Sequence, residues 1–155
     1  MTYTGTERRI AALNVVKRAF EAQAQYKSVK IEIPAAPPSK LEVDLMVYIG
    51  TGTEVLTGLT NQEKDSAFRF SVLVFCRANA ELELEKIRVS GNAEETIMAL
   101  QNSADFIDKG LTMIDVVTID RGPLALEYFG IQGPVLSPIG VVRLDTVVTF
   151  SYVAF

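Results

Sequence analysis

The stretch that most constrains the fold is GVVRLDTVVTFSYVAF, residues 140–155. Val142, Leu144, Thr146, Val148, Phe150, Tyr152 and Ala154 fall on one side of a period-two alternation. Val141, Arg143, Asp145, Val147, Thr149, Ser151, Val153 and Phe155 fall on the other. This pattern predicts a long strand with one nearly continuous apolar face. Such a strand needs sheet neighbours on its edges and a second layer over its apolar side. A run at the end of a chain frays unless it is tied down, so Phe155 has to be held by the fold or by a partner.

The rest of the chain supplies those neighbours. Thr4 and Glu7 have the spacing of a capping box, and Ile10, Leu13, Val16, Phe20 and Ala24 recur at helical spacing. They predict a helix from about Gly5 to Tyr26. Val29, Ile31 and Ile33 predict a short strand, stopped by the connector PAAPPSK. Leu41, Val43, Leu45, Val47 and Ile49 alternate as a second strand. Phe68, Phe70, Val72, Val74 and Cys76 do so as a third, from Ser66 to Arg77. Between them GTGTEVLTGLTNQEKD, residues 50–65, reads as a projecting loop, too long for a tight hairpin.

Residues 79–90 fit a helix or an extended segment equally well. Asn92 and Glu95 predict the capped start of a second helix, with Ala93, Ile97, Leu100, Ala104 and Ile107 on one face, ending at Lys109-Gly110. Leu111 to Asp120 reads as a fourth strand. Residues 121–140 form a long Gly/Pro-rich loop that is unusually apolar. Exposed loops are seldom so apolar, which points to burial against the core or under a neighbouring subunit. The order predicts one α+β domain over residues 1–155, a mainly antiparallel sheet with two helices on one face. Leu73, Phe75, Val147 and Val153 on the opposite face suggest partial covering by another subunit.

Several kinds of chemistry are excluded or disfavoured. The chain has no histidine and one cysteine, which removes His-based triads, zinc–histidine sites and an internal disulfide. Cys76 reads as a small buried hydrophobe. The glycines at 50–65 fit neither phosphate-binding fingerprint. Glu94, Glu95, Asp105 and Asp108 have no companion ligands at loop spacing, and no metal or cofactor is expected. A net charge of −4 argues against a protein that grips duplex DNA by its phosphates. No apolar run approaches the roughly 18 residues of a membrane span, and MTYTGTERRI lacks the apolar core of a signal peptide. The expectation is a protein made and kept in a cytoplasm.

Charge is unevenly placed. Arg8, Arg9, Lys17, Arg18, Lys27 and Lys30 crowd the first 30 residues, and acidic residues gather between Glu81 and Asp120. The asymmetry is either solvated surface or a pair of complementary faces on a self-assembling subunit.

In order and texture the chain resembles the tail terminator proteins of long-tailed bacteriophages. The likeness rests on the helix TERRIAALNVVKRAFEAQ, the pair LEVDLMVYIG and SAFRFSVLVFCRA, the helix NAEETIMALQNSADFIDKG, the strand LTMIDVVTID and the terminal VVRLDTVVTFSYVAF. The resemblance implies a non-enzymatic virion subunit that assembles in the host cytoplasm. It implies a ring, hexameric in the family, that caps the tail tube and joins it to a neck or head-completion protein. Genome DNA passes through such a ring without sequence-specific binding. The subunit interface would then use Arg8, Arg9, Lys17 and Arg18 electrostatically and Tyr128, Phe129 and Ile131 as apolar contacts. The alternatives are another connector, neck or tube subunit, a small-molecule-binding α+β domain, and an enzyme built on carboxylates such as Asp115 and Asp120.

Overall fold

The computed structural model describes residues 4–32, 45–58, 62–77, 81–122 and 139–153. Helix α1 (Gly5–Glu21) leads into β1 (Tyr26–Lys30), followed by β2 (Leu45–Gly58) and β3 (Glu63–Arg77). Helix α2 (Leu82–Met98), a 3₁₀ turn over Ala99–Asn102 and the short α3 (Ala104–Asp108) come next, before β4 (Met113–Asp120) and β5 (Ile139–Val153). The five strands form one sheet in the order β1-β2-β3-β5-β4. Only β1 and β2 run parallel, and the other three pairings are antiparallel. The architecture is the α+β arrangement expected from the sequence.

The apolar alternation has the expected register. Val142, Leu144, Thr146, Val148 and Phe150 of β5 are buried with Phe68, Phe70, Val72, Val74 and Cys76 of β3 and Val47 and Ile49 of β2. They share one core with Leu13, Val16 and Phe20 of α1, Val89, Ala93 and Ile97 of α2, and Phe106 of α3. Thr146 sits inside this apolar set, and its hydroxyl donates to the Leu144 carbonyl. Cys76 is a buried free thiol.

Helix α1 starts as the capping box requires: Thr4 Oγ1 accepts from the Glu7 amide at 3.1 Å, and Glu7 Oε2 accepts from the Thr4 amide at 3.2 Å. Its end comes at Glu21, earlier than Tyr26. In a continued helix Tyr26 would lie about 240° round from Phe20. By starting β1 instead, Tyr26 enters the core edge-on to Phe20, ring centroids 4.8 Å apart. Ile10, expected in the apolar stripe, is 54% exposed.

The ambiguous segment 79–90 resolves as helix from Leu82, so Asn92 is an interior residue of α2 and caps nothing. Its Oδ1 accepts from the Tyr26 hydroxyl and from Gln25 Nε2. The expected single helix to Lys109 is broken at Ser103, whose backbone is extended and whose Oγ accepts from the Phe106 amide at 3.2 Å. That turn rotates the chain, so Phe106 is buried and Ile107 is exposed. Gly110 closes α3 at φ +73°, a left-handed conformation open to glycine at little cost.

The loop expected at 50–65 is instead mostly sheet. Residues Glu54 to Gly58 pair with Phe68 back to Lys64, after a register shift between Thr51 and Glu54. β-branched Thr53, Val55 and Thr57 alternate here, which suits an extended backbone. On the sheet face away from the helices, Tyr48, Leu73, Phe75 and Val141 form a second buried cluster, with the Tyr48 and Phe75 rings edge to face at 5.6 Å. Leu73, Phe75 and Val147 are therefore buried within the chain itself, with no need of another subunit. Val153, the fourth residue expected to need covering, is partly exposed. The PAAPPSK connector, most of the 121–140 loop and Phe155 lie outside the described residues.

Candidate functional site

The basic residues of α1 are the candidates that the structure places best. Arg8 reaches across to the end of β5, where its Nη1 donates to the Ser151 carbonyl and, at 3.0 Å, to the Gly110 carbonyl. Arg9 turns to the β2–β3 hairpin. Its Nε donates to Glu54 Oε1 at 2.7 Å and Oε2 at 3.0 Å, and its Nη2 donates to the Tyr152 hydroxyl at 3.0 Å. The guanidinium also stands 5.0 Å from the centre of the Tyr152 ring, a favourable cation–π placement. Gly5 makes this closeness possible, since a Cβ there would meet the Tyr152 ring at 2.9 Å.

The electrostatics follow from these contacts. The Glu54 hydrogen bond and charge push the Arg9 guanidinium pKa up, against the opposing effect of burial. Burial by itself raises Glu54, but hydrogen bonds from Arg9 and Ser66, with the Arg9 charge, outweigh it and carry that carboxyl below its ordinary value. Arg18 forms a two-pronged pair with Asp105 at 2.8 and 3.0 Å on the surface, which raises its pKa through that hydrogen bond. Lys17 is half-buried on the same helix. Tyr128, Phe129 and Ile131 lie outside the described residues.

Thus three of the four candidate arginines and lysines on α1 already have partners inside the chain. Arg8 and Arg9 bind the helix start to the last residues of β5, which answers what holds that strand as far as Val153. Sequence reasoning missed Glu54 and Tyr152 as the partners of Arg9. The legible signal was the alternation of β-branched residues around Glu54, which marks strand and so turns Glu54 toward one face.

Other arrangements offer less chemistry. Burial pushes the Cys76 thiol up to about 11, with the nearby Glu85 charge adding to it, so it is poorly suited to act as a thiolate. Among the described residues no three acidic or thiol groups are placed to hold a metal ion. Asp115 and Asp120 face Val147 and Arg143 on β5. Four residues of strand separate those positions, about 13 Å, too far for a working carboxylate pair. The helix–sheet interior is filled by Phe20, Phe70, Phe106 and Phe150. A shallow groove of about 560 Å³ lies on the opposite face, beside Arg69, Ser71, Arg143 and Asp145. Asp145 accepts from Ser71 Oγ at 2.9 Å and forms an ion pair with Arg143 at 3.3 Å, although the buried Arg143 Nε makes no hydrogen bond of its own among the described residues.

No protein-family model matches the chain, and no curated protein sequence matches it. Among solved structures, the chain is similar to the sheath/tube terminator of an extracellular contractile injection system, PVC, determined by cryo-electron microscopy in its extended state. The TM-score is 0.52 at 12% sequence identity, over 100% of this chain and 58% of the terminator. The chain therefore spans a little over half the length of that protein, and the likeness is one of fold: the sheet and helices described above are laid out as in a sheath/tube terminator.

Proposed function

We propose that this protein is a tail terminator subunit, a structural component that caps the tube of a phage tail or related particle. The observation that carries the reading is the match of the whole chain to the fold of a sheath/tube terminator. In this reading the subunits close into a ring, hexameric as in the tail terminators the sequence resembles, that stops tube growth and meets a neck or head-completion protein above. Neighbours meet head to tail, a heterologous contact that closes on itself. Lys17 on α1 presents positive charge toward the neighbour's acidic flank, Arg18 being paired with Asp105 of its own chain, and Tyr128, Phe129 and Ile131 supply apolar area. Arg8 and Arg9 act behind them, holding α1 on the sheet.

A second reading, a tube or connector subunit, draws support from the long β2–β3 hairpin, an element suited to stacking one ring on another. Electron microscopy of the purified protein, alone and with tube protein, tests both. Annular particles that cap tube ends and limit their length are expected of a terminator. Incorporation along the tube indicates the second reading, and a monomer indifferent to tube protein rejects both.

A further inference from the structure

Helix α2 packs on the core through one side, burying Val89, Ser90, Ala93, Thr96 and Ile97. At about 100° per residue, the line opposite that side runs through Leu84, Gly91 and Met98. Ile87 and Arg88 flank it one turn before Gly91, and Glu94 and Glu95 one turn after. A helix face turned to water is ordinarily polar. Here Leu84 is 48% exposed, Ile87 56% and Met98 39%. Glycine is a poor helix former, and nothing inside the chain calls for it at position 91. No atom stands within 4 Å of where its Cβ would be.

This outer face is complementary to itself. Leu84 and Met98 lie equally far before and after Gly91, and Arg88 and Glu95 lie on one flank, before and after it. When a second α2 is laid antiparallel across Gly91, Leu84 of each copy meets Met98 of the other. Each Arg88 meets the Glu95 of the other copy, and on the opposite flank Ile87 lies along the stem of Glu94. A parallel pairing would instead bring like charges to the same level, at a cost. No ion pair among the described residues holds Glu94 or Glu95. Arg88 is 68% exposed and reaches Glu85 through Nη1 alone, at 3.2 Å, which leaves donors for a second carboxylate.

We infer that α2 pairs antiparallel with the α2 of a second copy of the chain, crossing at Gly91. The side chains at a crossing set how closely two helices approach, and a glycine from each copy permits the short end of the usual range of about 8–10 Å. The apolar residues then meet at both ends of the contact and the opposite charges between them. The contact is two-fold and isologous, separate from the head-to-tail contacts of a ring, so it goes beyond the terminator reading and stands or falls independently. One helix pair buries less than the roughly 1,200 Å² of a stable complex, so the dimer forms with rising concentration.

Sedimentation equilibrium over a concentration series, without tube protein, tests this. The expected mass rises from 17.0 kDa toward twice that value. Gly91→Leu fills the crossing and weakens the dimer about tenfold or more. Its circular dichroism spectrum is kept, because the new side chain enters open space. Arg88→Glu and Glu95→Arg each weaken the dimer, and the two together restore it. Should a charge variant unfold, Gly91→Leu decides. A mass of 17.0 kDa at every concentration, a dimer indifferent to Gly91→Leu, or a double reversal as weak as its single parents overturns the inference. Failure to cap tube ends while the dimer persists rejects the terminator reading and leaves this one standing.

Discussion

Arg9 and Glu54, 45 residues apart in sequence, meet at 2.7 Å and fasten the first helix to the β2–β3 hairpin. Both are mostly shielded from water, with side chains 29% and 19% exposed, so the pair has more effect than a surface ion pair. Arg9→Ala leaves Glu54 with Ser66 alone and is expected to cost about 1.5–3 kcal/mol, measured by urea denaturation. Arg9→Glu is worse, because it sets two carboxylates against each other. A charge reversal at Arg9 thus tests the fold as much as any assembly, and Lys17→Glu is the cleaner probe of a ring interface. In a salt series it should weaken ring formation most at low ionic strength, with the melting temperature unchanged.

The same pair sets an acid limit. The Glu54 pKa is lower in the folded chain than its ordinary 4.5, so its contribution is fully present above that value. It is lost as pH falls through the lower folded value. Glu54→Gln should flatten stability against pH in this acid window, read from denaturation midpoints, and leave the neutral-to-alkaline profile unchanged in shape.

Tyr26 sets an opposite limit. Burial raises the phenol above its ordinary 10.0, beyond the lowering effect of neighbouring hydrogen bonds. Its contribution is complete below pH 10 and declines as pH rises toward the folded value, because the unfolded phenol ionises first. Tyr26→Phe should remove this alkaline decline, seen by denaturation at pH 9–12. It also leaves Asn92 with one donor fewer and costs about 1 kcal/mol at neutral pH.

Phe150 is 2% exposed and lies among the inward residues of β5. Phe150→Ala is expected to cost about 3–5 kcal/mol. Thr149→Ala, one residue away and on the other face, should change stability far less. Equal losses in guanidinium denaturation would place the strand one residue out of register.

Gly110→Ala meets two obstacles, a backbone at φ +73° and the Arg8 guanidinium carbon 3.1 Å from the new Cβ. A loss of about 1–3 kcal/mol is expected, readable as a lower melting temperature. Gly91→Ala is the control, since nothing lies within 4 Å of a Cβ there and α2 gains a better helix former.

The strands were legible wherever one face is apolar and the other is not. β3 and β5 show this pattern from Phe68 to Cys76 and from Val142 to Phe150, and every residue of that apolar face is buried, with Leu73, Phe75 and Val147 of the other face buried as well. Misreadings came where long-range contacts outweigh local signals. Asn92 has the spacing of a helix cap, yet Tyr26 and Gln25 claim its side chain from a distant part of the chain. Gly50 and Gly52 suggest a loop, but pairing with β3 holds the segment extended. The basic character of α1 was plain in sequence. That Arg8 would grasp the carbonyl of Ser151, and Arg9 the carboxylate of Glu54, was not, because neither partner has a local pattern that points to it.

The place of β5 between β3 and β4 has a consequence for the order of folding. In a chain made from N- to C-terminus, β1, β2 and β3 can begin their sheet while α2 is still emerging. β4 cannot join them, because its strand partner among the described residues is β5, which is made after it. Until β5 inserts, two strand edges and the inner faces of β3 and β4 wait without their neighbour. Closure is thus a late, non-local step of the slow kind. A ribosome stalled before residue 139, or a lesion that delays β5, would leave a half-sheet whose β3 edge is unpaired, a form prone to aggregate.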